Sequence, residues 1–406
     1  DHALLRSGDC SFYDGRFAAA EFRYRRLIER RPNSELVDDA RYRLGVLLMR
    51  TGRGEAARAP LRQLADGGAS LYRGRAHARL GEIAAARAQW TEAIRRYAAW
   101  IDLDVREASR GKAWLRIVDW AMRADDPDLA LLWLDRRLHQ DAPDPASLGA
   151  RVRVLAALND VHGAARSLRR LEKGFPDAKE QIVTGRLDLA AAHRGLNELE
   201  RAVDLARIAR AQAPCDSLRS RASFEEGMAF ARMETWSEAL RSWSEAAVAD
   251  PFGPWAARAL LRHGRVASTL GDWKTAVDRF DRFAKTFPDD RRAIDARTRQ
   301  ALALRRTHRF DEALAVLQAL LEDYPDDAGS DDLLVEVVRA HVGLEQFVTA
   351  RATLSRVLPY LAPSVAVAVQ RELAAAYEEA GRPLDAASVH GEIAAAHREE
   401  PAVRSR

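Results

Sequence analysis

The sequence predicts an all-α fold, a solenoid of about eleven stacked helix pairs. Three observations carry that reading. A small residue, usually Ala, falls three positions after a bulky one, and for most of the chain this unit recurs every 37 residues, at Leu199, Trp236, Trp273, Phe310, Phe347 and Leu384. A Gly often stands 12 residues before that Ala, as Gly8, Gly45, Gly81, Gly227 and Gly264 do, and a Pro often stands 12 after it, as Pro32, Pro214, Pro251, Pro288 and Pro325 do. Self-similarity on this length scale marks an array in which each unit buries its apolar face only by stacking on its neighbours.

The elements follow in order from these anchors. A Gly inside a helix costs about 1 kcal/mol relative to Ala, so a recurring one needs a packing reason. Two antiparallel helices crossing at Gly and Ala supply it. Tyr24, Tyr97, Trp243 and Phe280, each four residues after the Ala, fill the layer between the helices. The Pro, which has no amide hydrogen and clashes with the preceding turn, ends the second helix. The first three pairs are anchored by Phe17, Gly54 and Trp90, with second helices near 16–31, 54–66 and 90–104. The fourth and fifth are anchored by Leu129 and His162, at spacings of 39 and 33, with second helices near 127–140 and 160–174. There Leu132 stands in place of the Ala, and Arg153 in place of the first-helix Gly. The remaining second helices fall near 197–212, 236–248, 272–286, 309–323, 346–359 and 382–398, with Val338 replacing the Gly of the tenth pair. No period-two alternation bounded by turn residues competes with this pattern. The expected organisation is one array over 1–399, with an irregular stretch at 106–160 that could act as a hinge, and a tail over 400–406.

The Gly, Ala, aromatic and Pro pattern resembles the tetratricopeptide repeat family over nearly the whole chain. The clearest copies are Ala222 to Pro251 and Leu260 to Pro288. The family's usual period is 34, so the additional residues imply longer turns or helices. The resemblance implies a right-handed superhelix whose first helices line a concave, partner-binding surface.

Composition sets further bounds. At 31% charged and 47% hydrophobic residues the chain is that of a folded protein. The net charge is only +4 and the basic residues are 59 Arg against five Lys, a bias that a GC-rich genome produces unaided, so basicity is no argument for nucleic acid. Cys10 and Cys215 lie more than five repeats apart, beyond the reach of a disulfide. No apolar run approaches the roughly 18 residues needed to cross a bilayer. The chain opens on Asp1 rather than Met, which leaves room for a signal or anchor upstream.

No enzyme signature is present. Gly111-Lys112 lacks the earlier Gly and the following Ser or Thr of a phosphate loop, with Arg106 and Ala113 in those places. The ten His are scattered; His390 and His397, seven apart, have no Glu at metalloprotease spacing. Catalytic, cofactor and metal residues are therefore expected to be none. Five of the nine Trp (Trp90, Trp100, Trp114, Trp120 and Trp133) crowd into 44 residues; aromatics at helical spacing are mostly core, and Trp114 and Trp120 in the irregular repeat are the candidates for exposure. Positions six and three before and one and four after the first-helix small residue would face the groove. This places Arg221, Phe224, Met228, Arg258, Leu261, Arg265, Arg305 and Arg339 on one surface, an apolar groove edged by guanidinium groups suited to an acidic peptide. The only asparagines, Asn33, Asn159 and Asn197, fall in turns or at helix starts, which argues against a carboxylate clamp of the Asn and Lys type.

The segment from Phe12-Tyr13 and Gly15 through Pro32-Asn33-Ser34 to Asp39-Ala40 and Leu44-Gly45 resembles repeats of bacterial cell-envelope proteins, the outer-membrane-assembly lipoprotein and the Tol-Pal coordinator. The phrase returns in Phe287-Pro288-Asp289 and Tyr324-Pro325-Asp326. The resemblance implies a non-catalytic scaffold holding protein segments in the periplasm or cell envelope of a GC-rich Gram-negative bacterium. The alternatives are a cytoplasmic regulator or assembly factor and the helical accessory region of a larger envelope enzyme.

Overall fold

The computed structural model describes residues 1–67, 70–103, 107–323 and 331–403, with side chains described except at 107–110, 331–332 and 396–403. Among the described residues the chain forms 22 α-helices, one short 3-10 turn and no strand, an all-α repeat fold. It divides into two compact units, Asp1–Leu205 and Ala206–Arg406. The first unit contains α1 (His2–Tyr13), α2 (Phe17–Arg30), α3 (Val37–Arg50), α4 (Gly54–Ala65), α5 (Arg73–Ala86), α6 (Trp90–Asp102), α7 (Glu107–Arg123), α8 (Pro127–Gln140), α9 (Pro145–Ala157), α10 (Val161–Gly174) and α11 (Lys179–Gly195). The unit boundary falls within α12 (Leu199–Gln212). The second unit continues with α13 (Asp216–Arg232), α14 (Trp236–Ala249), α15 (Pro254–Thr269), α16 (Trp273–Thr286), α17 (Ala293–Arg306), α18 (Phe310–Asp323), α19 (Asp331–Gly343), α20 (Phe347–Val357), α21 (Pro363–Glu379) and α22 (Pro383–Val403). Within each unit every helix packs on the next in sequence, and odd-numbered first helices also touch one another, as α7 touches α9 and α13 touches α15.

One backbone feature indexes the array. Each odd-to-even turn holds a residue in the left-handed region, at Gly15, Gly52, Ala88, Asp125, Asn159, Asn197, Glu234, Gly271, His308, Glu345 and Gly381. The following amide bonds back to a carbonyl five residues earlier, as Arg16 does to Ser11 and Asp272 to Ala267, which closes the first helix in a Schellman motif. Five residues after each left-handed position stands an Ala that is almost fully buried: Ala20, Ala57, Ala93, Ala130, Ala164, Ala202, Ala239, Ala276, Ala313, Ala350 and Ala386.

This index corrects the expected register at three places. In the fourth pair the buried small residue is Ala130, and Leu132 is 65% exposed, so Pro127, not Leu129, is the anchor. In the fifth it is Ala164 after Val161, with Val152 rather than Arg153 opposite. In the last it is Ala386 after Pro383, while Leu384 is 86% exposed. The turn, not the bulk of the anchor side chain, sets the register, because the left-handed residue and its hydrogen bonds fix where the second helix starts. Proline stops fall where expected: α2, α12, α14 and α16 end before Pro32, Pro214, Pro251 and Pro288, while Pro325 and the Tyr324-Pro325-Asp326 phrase lie outside the described residues.

At most crossings volume is swapped between the two helices. A Cβ added to Gly8, Gly45, Gly81, Gly227 or Gly264 would stand 2.5, 2.7, 2.5, 2.6 or 2.8 Å from Tyr24, Leu61, Tyr97, Trp243 or Phe280, the residue four after the Ala. Where the first helix carries a larger residue, the second carries a smaller partner than the rings, as in Val118 with Leu134, Val152 with Leu168, Ala301 with Leu317 and Val338 with Leu354. The glycines therefore make room for the large residue four after the Ala, a ring at four crossings and Leu61 at the fifth.

His263 of α15 lies buried, its Nδ1 3.3 Å from the Ser244 hydroxyl. Burial first and the nearby Arg279 guanidinium second push its pKa down to about 4, against weaker opposition from Asp272 and Asp278.

Three outcomes are expected. Gly227→Val lowers the thermal midpoint and destabilises the second unit by about 2 kcal/mol, and adding Trp243→Leu recovers much of the loss; melting curves of the two single variants and the double variant check this. Glu234→Gly, which relieves an L residue at φ 58, raises stability by about 1 kcal/mol, read from the same melts. His263 is neutral when folded, so its contribution is present above pH 6.5 and is lost as pH falls from there toward 4, because the unfolded chain takes the proton first. A series of melts across that window should show a steeper fall for the wild type than for His263→Gln.

Candidate functional site

Of the eight residues expected on one groove, three converge. Trp255, on the first turn of α15, is partly exposed, and Arg221 and Phe224 of α13 and Arg258 of α15 surround it. The guanidinium carbons of Arg221 and Arg258 lie 5.4 and 4.6 Å from the indole centroid, and the Phe224 ring is 5.4 Å away and tilted. A cation over an indole face is held by the ring quadrupole, so this cluster orients both arginines. Sequence reasoning missed Trp255, although it stands three residues before Arg258, on the same face of α15. Arg262, four residues after Arg258, continues that stripe and is exposed.

The other expectations need correction. Phe224 and Leu261 are 7% and 4% exposed, so they are walls packed beneath the surface rather than a groove lining; Met228 is partly exposed. Arg265, Arg305 and Arg339 do not form a free basic edge. Arg265 pairs with Asp295 of α17 at 2.8 Å, Arg305 with Glu336 of α19 at 3.1 Å, and Arg339 with Glu372 of α21 at 2.8 Å and with Glu336 at 2.7 Å. Each reaches a carboxylate on the next first helix, about one repeat away, so these charges pin neighbouring repeats together. The signal available in the sequence was an acid 30 to 33 residues after each Arg.

In the first unit the same kind of rung has the opposite polarity. The acid is on the earlier helix, Asp9 of α1 with Arg43 of α3 and Glu82 of α5 with Arg116 of α7 at 3.2 Å. Asp9 also accepts a hydrogen bond from the Tyr24 hydroxyl at 2.8 Å, and burial pushes that phenol up to about 12. Phe12, Tyr13, Tyr24, Tyr42 and Val46 line a cleft of about 390 Å³ around this pair. A second cleft of about 280 Å³ lies across α7, α9 and α11, floored by Ala146, Gly149 and Ala150 with Arg153, Glu180 and Asp188 at its sides.

Trp114 and Trp120, the candidates for exposed aromatics, are buried at 0% and 7%. With Val118 at the crossing, Trp114 packs on Trp133 of α8 at 5.0 Å and Trp120 on Tyr97 of α6 at 4.5 Å. They are core. Cys10 and Cys215 are free and exposed. Among the described residues no group of three or more His, Cys, Asp and Glu is placed to hold a metal, and no helix is long and apolar enough to cross a membrane.

Comparison with known proteins adds the following. The tetratricopeptide repeat profile matches residues 8–71 and 261–328, one segment in each unit, so these two segments carry tetratricopeptide repeats. Among solved structures, the C-terminal part of a tetratricopeptide repeat protein from Cytophaga hutchinsonii is 16% identical, with 72% of this chain and 98% of that one covered and a TM-score of 0.41. A tetratricopeptide repeat protein from Parabacteroides merdae is 11% identical, with 61% and 92% covered and a TM-score of 0.41. MamA from Desulfovibrio magneticus RS-1 is 20% identical, with 44% and 96% covered and a TM-score of 0.34. No curated protein matches the chain. At such identities and scores these likenesses say nothing of function.

The ion-pair ladder yields a further expected outcome. Glu336, 8% exposed, serves both Arg305 and Arg339. Its removal strands the Arg305 guanidinium and leaves Arg339 with Glu372 alone, so Glu336→Ala should cost about 2 kcal/mol, more than Glu372→Ala at the better exposed rung. Urea titrations of both variants check the order.

Proposed function

We propose that this protein is a non-catalytic scaffold whose repeats hold a segment of a partner protein along a first-helix face, in a bacterial cell-envelope assembly. The observation that carries the reading is the surface stripe on α15, where Trp255, Arg258 and Arg262 stay accessible while the arginines of the following rungs are neutralised. A repeat protein uses its interior residues for stacking, so an aromatic left partly exposed beside exposed cations is surface kept for contact. The tetratricopeptide repeats support a role in protein interaction. Envelope placement rests on the resemblance of the Phe12 to Gly45 phrase to repeats of envelope proteins.

The test has two readouts. Affinity capture from the source organism with the wild type should recover a partner that the Trp255→Ala, Arg258→Glu double variant loses, both proteins melting alike. Cell fractionation should place the protein with the envelope; recovery in the cytosol alone would overturn that part and leave the scaffold reading standing.

A further inference from the structure

We infer that the stripe on α15 is a reader of acidic segments, which takes a carboxylate of the partner peptide on Arg258 and Arg262 and lays an adjacent apolar side chain against Trp255. This rests on the scaffold reading and names the chemistry of its partner. Trp255, Arg258 and Arg262 stand at i, i+3 and i+7, hence on one face of the helix. The Arg258 guanidinium lies 4.6 Å from the indole centroid and is thereby held in place while exposed to solvent. Among the described residues no carboxylate pairs with Arg258 or Arg262, whereas Arg265 one turn further on has Asp295 at 2.8 Å. Two cations one turn apart on an exposed helix face repel each other, and an arriving carboxylate removes that repulsion and gains charge-assisted hydrogen bonds. Beside them, Trp255 backed by Phe224 offers an apolar patch already fixed in shape.

The same face argues for a peptide over a nucleic acid. Asp295, Glu336 and Glu372 follow along the first helices of this unit and neutralise Arg265, Arg305 and Arg339, so no continuous basic track is left there for a phosphate backbone, while a peptide needs only one or two carboxylates at the Arg258 end. The partner chemistry is therefore an extended or helical segment with Asp or Glu next to a Leu, Phe or similar side chain.

Fluorescence polarisation with the full chain tests this against three labelled probes: a short peptide alternating Glu with Leu and Phe, the same peptide with Gln for each Glu, and a single-stranded oligonucleotide. The Glu peptide should bind more tightly than the Gln peptide, and Arg258→Glu with Arg262→Glu should weaken it about tenfold or more. Arg258→Gln with Arg262→Gln should fall between, Trp255→Ala should weaken both peptides alike, and all variants should keep the wild-type melting midpoint. Equal binding of the Glu and Gln peptides, no binding of either, or no effect of the charge reversal overturns the acidic reader, while captured partners would still uphold the scaffold. Preference for the oligonucleotide overturns both.

Discussion

Nine of the eleven crossings obey one volume constraint: the residue at the centre of a first helix and the residue sixteen positions later, on the second, share a fixed space; the sixth, with Ala190 and Ala206, and the last, with Ala374 and an exposed His390, depart from it. Glycine is paired with Tyr, Trp, Phe or Leu, and Val or Ala with Leu. The pairing has this form because the interior is close-packed and the two backbones approach to a set distance, so a Cβ gained on one side must be given up on the other. The left-handed turn sets that distance. It closes the first helix with a five-residue hydrogen bond and starts the second at a fixed angle, at a strain cost in the seven turns that use a residue other than Gly.

Once the crossings are set, the first helices of each unit lie side by side, and their outward residues meet their counterparts about one repeat away. Ion pairs then tie neighbour to neighbour, acid before base in the first unit and base before acid in the second. The half-buried rungs, Arg305 and Arg339 with Glu336, contribute more than exposed ones, because less water competes with them. Where the ladder begins, at α15, two arginines are left over, and an indole stiffens one of them. The accessible stripe on α15 is therefore a by-product of the architecture, at the point where the neutralising series starts.

Much of the fold was legible because its signal is redundant. Gly, Ala, ring and Pro recur together, so an array survives the loss of any one of them. The register in the fourth, fifth and last pairs was not legible from bulky anchors, since Leu129, His162 and Leu384 stand one or two residues off the true anchor positions, and Leu132, read in place of the Ala, and Leu384 both point to solvent. The turn residues Asp125, Asn159 and Gly381 would have found it, because only the backbone at that position is constrained to positive φ. Clustering of Trp in the sequence likewise suggested exposure at Trp114 and Trp120, where the corrected register turns both inward.

The sequence by itself determined the helical repeat, its number of units, the proline stops and the candidate basic positions, because periodicity is a one-dimensional property that stacking merely reads out. Only the tertiary structure decided which arginines carry free charge. Whether Arg265, Arg305 and Arg339 are paired and Arg258 and Arg262 are not depends on carboxylates 30 to 33 residues away arriving within hydrogen-bond reach. It depends also on Trp255 lying close to the guanidinium groups of Arg221 and Arg258. Distances across repeats follow from crossing geometry, and no composition or local spacing encodes them.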